Sequence, residues 1–477
     1  RIIDILETFN QAKLLHSLYA LYDGLQFWHH TMFSRFNKIQ SVYQYLGLVD
    51  EEQEQFINNN VESNLITRCL IEYTTIKCKN FRNKDIDAIK IDEVYALMRL
   101  LIEIGRLNDY YKLSSVTNTI SVVGSGRFSF PLDLYDNMNA YTKYINTDRL
   151  WNHDTYKSLS SIVSDIQRND VLTQYNNAFA AEFGLSVEWY DNITQAIAQY
   201  IGEGPEHVIC CTLTALKAYI RDKTSCSSDI LTVYFNNFAI SPLYREPNTI
   251  CGFNDHDLFP CRYRRKLSII SRPFSLFYKD GEEYIIFSYR GFMQSYMQLE
   301  SNILKCKYDA MSPAMKTFQG TLNELRGKRF EQSVANLFRN TNHLIVLQNV
   351  AIAPRKQLPN DINIGDIDVL LIDNQTQSII CIEAKNYNKC KTPYEVVELT
   401  RKIEKDLKKI MRRDKWCVEN LQKFSNLARV NTSNYKIKTV IVTHHKNAAE
   451  YINPHLSNIP FVWIRELIDN PMDIFKA

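Results

Sequence analysis

A chain of 477 residues is long for a single hydrophobic core, so two or three domains are expected. With 56 Lys and Arg against 53 Asp and Glu, the formal charge of +3 excludes a broadly basic nucleic-acid binder but leaves room for a local basic groove. The 11 cysteines form no Cys-x-x-Cys pair and Cys381 falls in an apolar run, so reduced thiols in a cytoplasmic protein are expected, not disulfides or a zinc finger.

Residues 1–240 read as mainly helical, a region for recognition, partner binding or regulation. Leu14, Leu15, Leu18, Leu21 and Tyr22 open a periodic segment, and 64–76 and 92–113 are further helices. Ser186 reads as an N-cap for 186–201, with Glu188 and Trp189 in the first turn; helices over 213–222 and 229–237 follow. These stripes are read as ordinary core. Val123-Gly124-Ser125-Gly126-Arg127 lacks the Gly-Lys-Ser/Thr of a P-loop. No run is apolar enough for a membrane span.

Residues 241–317 change character and read as a small α+β connector. Asp255-His256-Asp257 reads as a polar loop. Arg264 and Arg265, beside Tyr263, are candidate nucleic-acid contacts weighed against a surface or interface patch. Strands are expected over 267–270, 274–278 and 284–288, with Asp280-Gly281 as a hairpin turn, and then a helix over 291–305.

Residues 318–477 carry the chemistry. A helix is expected over 321–340, with Leu322, Leu325, Phe330, Val334, Leu337 and Phe338 on its apolar face and Glu331 at the border. Two strands follow, Gly365-Asp366-Ile367-Asp368-Val369-Leu370-Leu371-Ile372-Asp373 and Ile379-Ile380-Cys381-Ile382-Glu383-Ala384-Lys385. They place acids where a core strand carries apolar residues, and charges buried without partners are costly. Alternation puts Asp366 and Asp368 on one face, and Glu383 with Lys385 on one face. A turn symmetric about Gln375 and Thr376 sets Asp368 opposite Glu383, at a Cβ separation of roughly 4.5–5.5 Å. Like charges at that spacing destabilise a sheet unless a cation lies between them. A long amphipathic helix is expected over 394–424, with Val396, Ile403, Leu407, Ile410 and Cys417 in its stripe. Its other faces carry Lys402, Lys405, Lys409, Arg412 and Arg413, either a solvated face or a phosphate-contacting surface. Strands over 436–443 and 461–464 follow, with His444-His445 at the end of the first.

The Gly-Asp-Ile-Asp-Val and Ile-Glu-Ala-Lys stretches resemble the PD-(D/E)xK, restriction-endonuclease-like, nucleases. Asp368 matches the family Asp, and Glu383 and Lys385 match its Glu-x-Lys; Ile367 stands where the family name has Pro. The resemblance covers about a third of the chain. It implies an α/β domain with a mixed central sheet over 318–477, so the whole reads as multidomain: helical region, α+β connector, nuclease-like domain. It also implies Mg²⁺, with Mn²⁺ as substitute, held by Asp368, Glu383 and the Ala384 carbonyl. Glu331 then holds a second metal or its water shell, with Glu324 the less favoured alternative, and Lys385 orients or helps deprotonate the attacking water. Asp366 becomes secondary. The expected activity is metal-dependent phosphodiester hydrolysis, with DNA preferred over RNA, and a bacterial or phage restriction or defence role. The rival is an inactive nuclease fold kept as a scaffold. A homo-oligomer or protein partner through the helical region stays open.

Overall fold

The computed structural model describes residues 1–45, 51–78, 88–117, 121–122, 128–129, 136, 168–202, 207–241, 267–341, 343–390, 392–452 and 456–476. The Gly-x-Gly segment at 123–127, the Asp255-His256-Asp257 loop and the candidate contacts Arg264 and Arg265 lie outside the described residues. The chain divides into two units, residues 1–107 with 154–320 and residues 108–153 with 321–477.

The described elements begin with helices α1 (Ile2–Leu6), α2 (Gln11–Tyr45), α3 (Glu51–Lys77) and α4 (Ala88–Thr117). The short strands β1 (Ser121–Val122) and β2 (Phe128–Ser129) pair antiparallel in the second unit. The first unit resumes with α5 (Arg168–Phe183), α6 (Val187–Gly202), β3 (Val208–Thr212), α7 (Leu213–Thr224) and α8 (Ser228–Phe238). It continues through β4 (Ala239–Ile240), β5 (Phe274–Lys279), β6 (Glu282–Ser288) and α9 (Tyr289–Leu304). Ser186 caps α6 as its sequence suggests, its hydroxyl accepting the Trp189 N–H at 3.2 Å. In α2 the side chains of Leu14, Leu15, Leu18 and Tyr22 are buried, while Leu21 faces outward.

The expected connector strands do not close among themselves. The sheet runs β3-β6-β5-β4, so β6 pairs with β3 and β5 with β4, both from residues before 241. Between β5 and β6, Asp280 and Gly281 both take positive φ, 51° and 82°, as a two-residue hairpin turn requires. Residues 267–270 form a turn where a strand was expected. Leu267 and Ile269 are buried, but the Ile269 N–H goes to the Glu72 carboxylate at 3.1 Å. The Ser268 carbonyl accepts the Ser271 and Arg272 N–H groups, which leaves no ladder to join. Among the described residues, no helix is long and apolar enough to cross a membrane.

The second unit takes α10 (Pro313–Phe338) from Thr321 onward. It then contains β7 (Leu344–Ala353), β8 (Leu358–Pro359), β9 (Gly365–Asp373), β10 (Ser378–Lys385), α11 (Pro393–Glu419) and α12 (Ser425–Ala428). It ends with β11 (Lys436–Thr443), α13 (Ala448–Ile452), β12 (Phe461–Trp463) and α14 (Ile464–Asp469). The six-stranded mixed sheet has the order β12-β11-β10-β9-β7-β8; β9 is antiparallel to both neighbours, and β10, β11 and β12 are parallel.

Helices cover both faces of this sheet, which is why β9 and β10 read as nearly unbroken apolar runs. Phe330, Val334 and Phe338 of α10 pack with Val369, Leu371, Ile380, Ile382 and Val440. The alternate residues Leu370, Ile372, Ile379 and Cys381 meet Cys417 of α11, and Ile441 meets Ile403, Leu407 and Ile410. Each such burial contributes about 1.5–3 kcal/mol. Helix α11 begins at Thr392, whose hydroxyl accepts the Glu395 N–H, with Pro393 in the first turn. It stops five residues short of the expected 424. Asn420 leaves helical geometry, its amide bonds the Trp416 carbonyl at 2.8 Å, and a separate turn covers Leu421–Phe424.

Candidate active site

The β9–β10 turn sets the site. Buried Asp373 accepts the Gln375 and Thr376 N–H groups and the Thr376 hydroxyl, and Gln377 takes φ 51°. This fixes the pairing at Ser378 with Asp373, running to Ile382 with Val369. One further step along that register places Asp368 beside Glu383, as the symmetric turn suggested.

Four charged side chains meet there. Asp368 and Glu383 are buried, with 8% and 2% of their surface exposed. Asp368 Oδ2 accepts the Ala384 N–H at 2.8 Å, which fixes its direction across the hairpin. Lys385 Nζ lies 3.4 Å from Asp368 Oδ2 and 3.2 Å from Glu383 Oε2. The fourth member is Arg413 of α11, which donates from Nη2 to Glu383 Oε1. The sequence reading grouped Arg413 with the exposed cations of this helix; the structure turns it inward. Gly365 makes room for it: a Cβ there would stand 2.8 Å from Arg413 Nη1, and the backbone φ is +102°.

Glu331 of α10 is half-buried near the same cluster. Burial, then the Asp368 charge, push its carboxyl up to about 7 against the opposing pull of Lys385. Burial likewise raises Asp368 and Glu383 above the usual carboxylate range, although Lys385 and Arg413 pull both down. For Lys385, burial alone would lower the ammonium; Asp368 and Glu383 outweigh it and hold it above its ordinary value. Glu324 points away and pairs with Lys328 at 2.6 Å on the surface. Asp366 is exposed at the start of β9. His444 and His445 bond each other through their rings at 2.9 Å, and His444 meets Phe330, the neighbour of Glu331, edge-on.

The oxygen set is consistent with a hard divalent cation. Glu383 Oε2 is buried and faces the Lys385 ammonium at 3.2 Å, with no other donor on it among the described residues. A carboxylate oxygen met only by an ammonium, beside a second buried carboxylate, is a suitable ligand pair. Among the described residues, no group of three or more His, Cys, Asp and Glu converges to hold a metal ion. A cation here would therefore rest on two carboxylates, a backbone carbonyl and water. Mg²⁺ commonly binds this way, through one or two carboxylates with substrate phosphate and water.

The remaining candidate contacts lie on α11. Lys402, Lys405, Lys409 and Arg412 are exposed. Lys402 Nζ stands 5.6 Å from the Tyr387 ring centroid, a cation–π contact.

A family model described as anti-phage protein Upx-like matches residues 47–437, most of the chain. The chain belongs to the Upx-like family of anti-phage proteins. That membership indicates a role in phage defence. No curated protein and no solved structure matches the chain. The matched span contains Glu331, Asp368, Glu383, Lys385 and Arg413, and ends within β11.

Proposed function

We propose that the chain is a metal-dependent nuclease that hydrolyses phosphodiester bonds, with DNA as the preferred substrate, in phage defence. The observation that carries this reading is the buried pair of carboxylates, Asp368 and Glu383, with the Lys385 ammonium set between them. Its resemblance to the PD-(D/E)xK pattern and the family's anti-phage description support the same reading.

Asp368, Glu383 and the Ala384 carbonyl would hold Mg²⁺ or Mn²⁺, and Glu331 would hold its water shell or a second ion. When bound, such a cation would supply charge neutralisation and activation of water. Lys385, held between Asp368 and Glu383, would orient or help deprotonate the attacking water and offset developing negative charge. Arg413 holds Glu383 in place.

The test is plasmid cleavage by the purified chain with Mg²⁺ or with EDTA, alongside Lys385→Ala and Asp368→Ala. Wild type should cut only with metal, and both variants should lose at least a hundredfold in rate. Equal cleavage by all three proteins, or none by wild type on DNA or RNA, overturns the reading. The second outcome with defence intact favours the scaffold alternative.

A further inference from the structure

The parallel strands β10, β11 and β12 end side by side beyond the charged cluster. Lys385 is in register with Thr443, and Thr443 with Trp463. Residues in register on adjacent parallel strands point to the same face, and strands lie about 4.8 Å apart. Trp463 therefore stands about 10 Å from Lys385 on the same face, roughly two strand spacings.

A cavity of about 290 Å³ opens at this place, lined by Thr443, Trp463, Phe461 and Tyr451. The size is at the lower limit for ligand pockets and suits a single flat ring system, not a dinucleotide. The polar lining is Lys446, Glu450 and Glu466. Lys446 Nζ lies 3.6 Å from Glu466 Oε1 and 5.4 Å from the Trp463 ring centroid. The Trp463 indole is held in position by its N–H, which donates to the His444 carbonyl at 3.0 Å. Glu450 is the odd member. Burial, then the neighbouring Glu466, raise its carboxyl to about 7 against the opposing pull of Lys446. Nothing in the charged hairpin cluster uses these side chains.

We propose that this cavity takes one unpaired guanine base of the nucleic-acid strand presented to Lys385. Lys446 and Arg465 both lie over the Trp463 ring, so the stacking surface is offered by Phe461 and Tyr451, and stacking is sequence-tolerant for any base. The polar set then selects. Guanine alone presents two adjacent N–H donors beside a carbonyl acceptor on one edge. Two carboxylates and one ammonium are the complement of that edge, with Glu450 and Glu466 accepting and Lys446 donating. Thymine has one N–H between two carbonyls, and adenine and cytosine each have one amino donor beside acceptors. The placement deepens the nuclease reading and rests on it for the strand's path: a base that enters here belongs to a nucleotide near the phosphate at Lys385. The preferred substrate is then single-stranded or locally unpaired.

The experiment measures binding of a labelled oligothymidine strand, and of the same strand with one central guanine, to the full chain in EDTA at pH 8. The guanine should tighten binding about tenfold. That ratio should fall towards one in Glu450→Gln and in Glu466→Gln. The second is a conservative change at an exposed side chain and leaves the fold out of question. A ratio of one in wild type, or a ratio that survives either substitution, overturns the proposal. So does saturable binding of a simple lysine amide that Glu450→Gln abolishes in the absence of any guanine effect, which would make the cavity a cation site. EDTA separates the two readings. A guanine effect without metal-dependent cleavage sinks the nuclease alone, and cleavage without a guanine effect sinks the base pocket alone.

Discussion

Glu383 and Arg413 form a buried pair whose partners come from different elements, and Gly365 is the residue that permits it. A buried ion pair is weak evidence for stability, but breaking one leaves an uncompensated charge and costs about 3–5 kcal/mol. Gly365→Ala attacks the pair indirectly. The new methyl would press on Arg413 Nη1 at 2.8 Å, and the φ of +102° is one that a residue with a Cβ rarely adopts. The backbone share should be about 1–3 kcal/mol. In urea unfolding, Gly365→Ala should lose more than this share, while in an Arg413→Ala background it should lose the backbone share only. Equal losses in both backgrounds would show that the methyl does not reach the pair. The sequence held a sign of this arrangement. Arg413 sits on the apolar stripe, three residues after Ile410 and four before Cys417, where a solvated cation does not belong.

At the scale of elements, the hairpin was the most legible part of the chain. Period-two alternation, a polar five-residue turn and apolar runs on each side fixed both the strands and their register, because a slip of one residue would turn every core side chain to the wrong face. In 267–270, Leu267 and Ile269 alternate as a strand would, but the partner of the Ile269 N–H is a carboxylate 197 residues away in sequence. Long-range partners of that kind leave no local trace. β3 escaped notice because five residues between two helices carry too little pattern. Helix α11 was legible in its stripe, and its exposed cations make a further claim. If Lys402, Lys405, Lys409 and Arg412 contact phosphates, log affinity for DNA should fall with log salt at a slope of about −3 to −4. Lys405→Glu and Lys409→Glu should each weaken binding on all sequences and reduce the slope by about one. A slope unchanged by either substitution would return the run to an ordinary solvated face.

At the scale of the molecule, the near-neutral charge and the two units argue that recognition is local. The formal charge of +3 cannot supply broad attraction to nucleic acid, so affinity has to come from a limited surface, and the cations of α11 lie in the same unit as the charged cluster. Membership of an anti-phage family gives this a cellular test that a test-tube assay does not. If hydrolysis is how the protein defends, protection should depend on the buried cluster and not merely on the presence of the fold. In a susceptible bacterial host, the wild-type gene should lower phage plating. Lys385→Ala and Asp368→Ala, each confirmed at wild-type protein level by immunoblot, should restore plating to that of cells without the gene. Lys385→Ala removes a half-buried cation and leaves two buried carboxylates facing each other, so its protein level has to be checked against lost stability as well as lost chemistry. Glu324→Ala, at an exposed surface pair on α10, supplies the control that should keep full protection. Protection that persists in both cluster variants at normal protein level would mean that the fold defends by binding alone, and the scaffold reading would replace the nuclease.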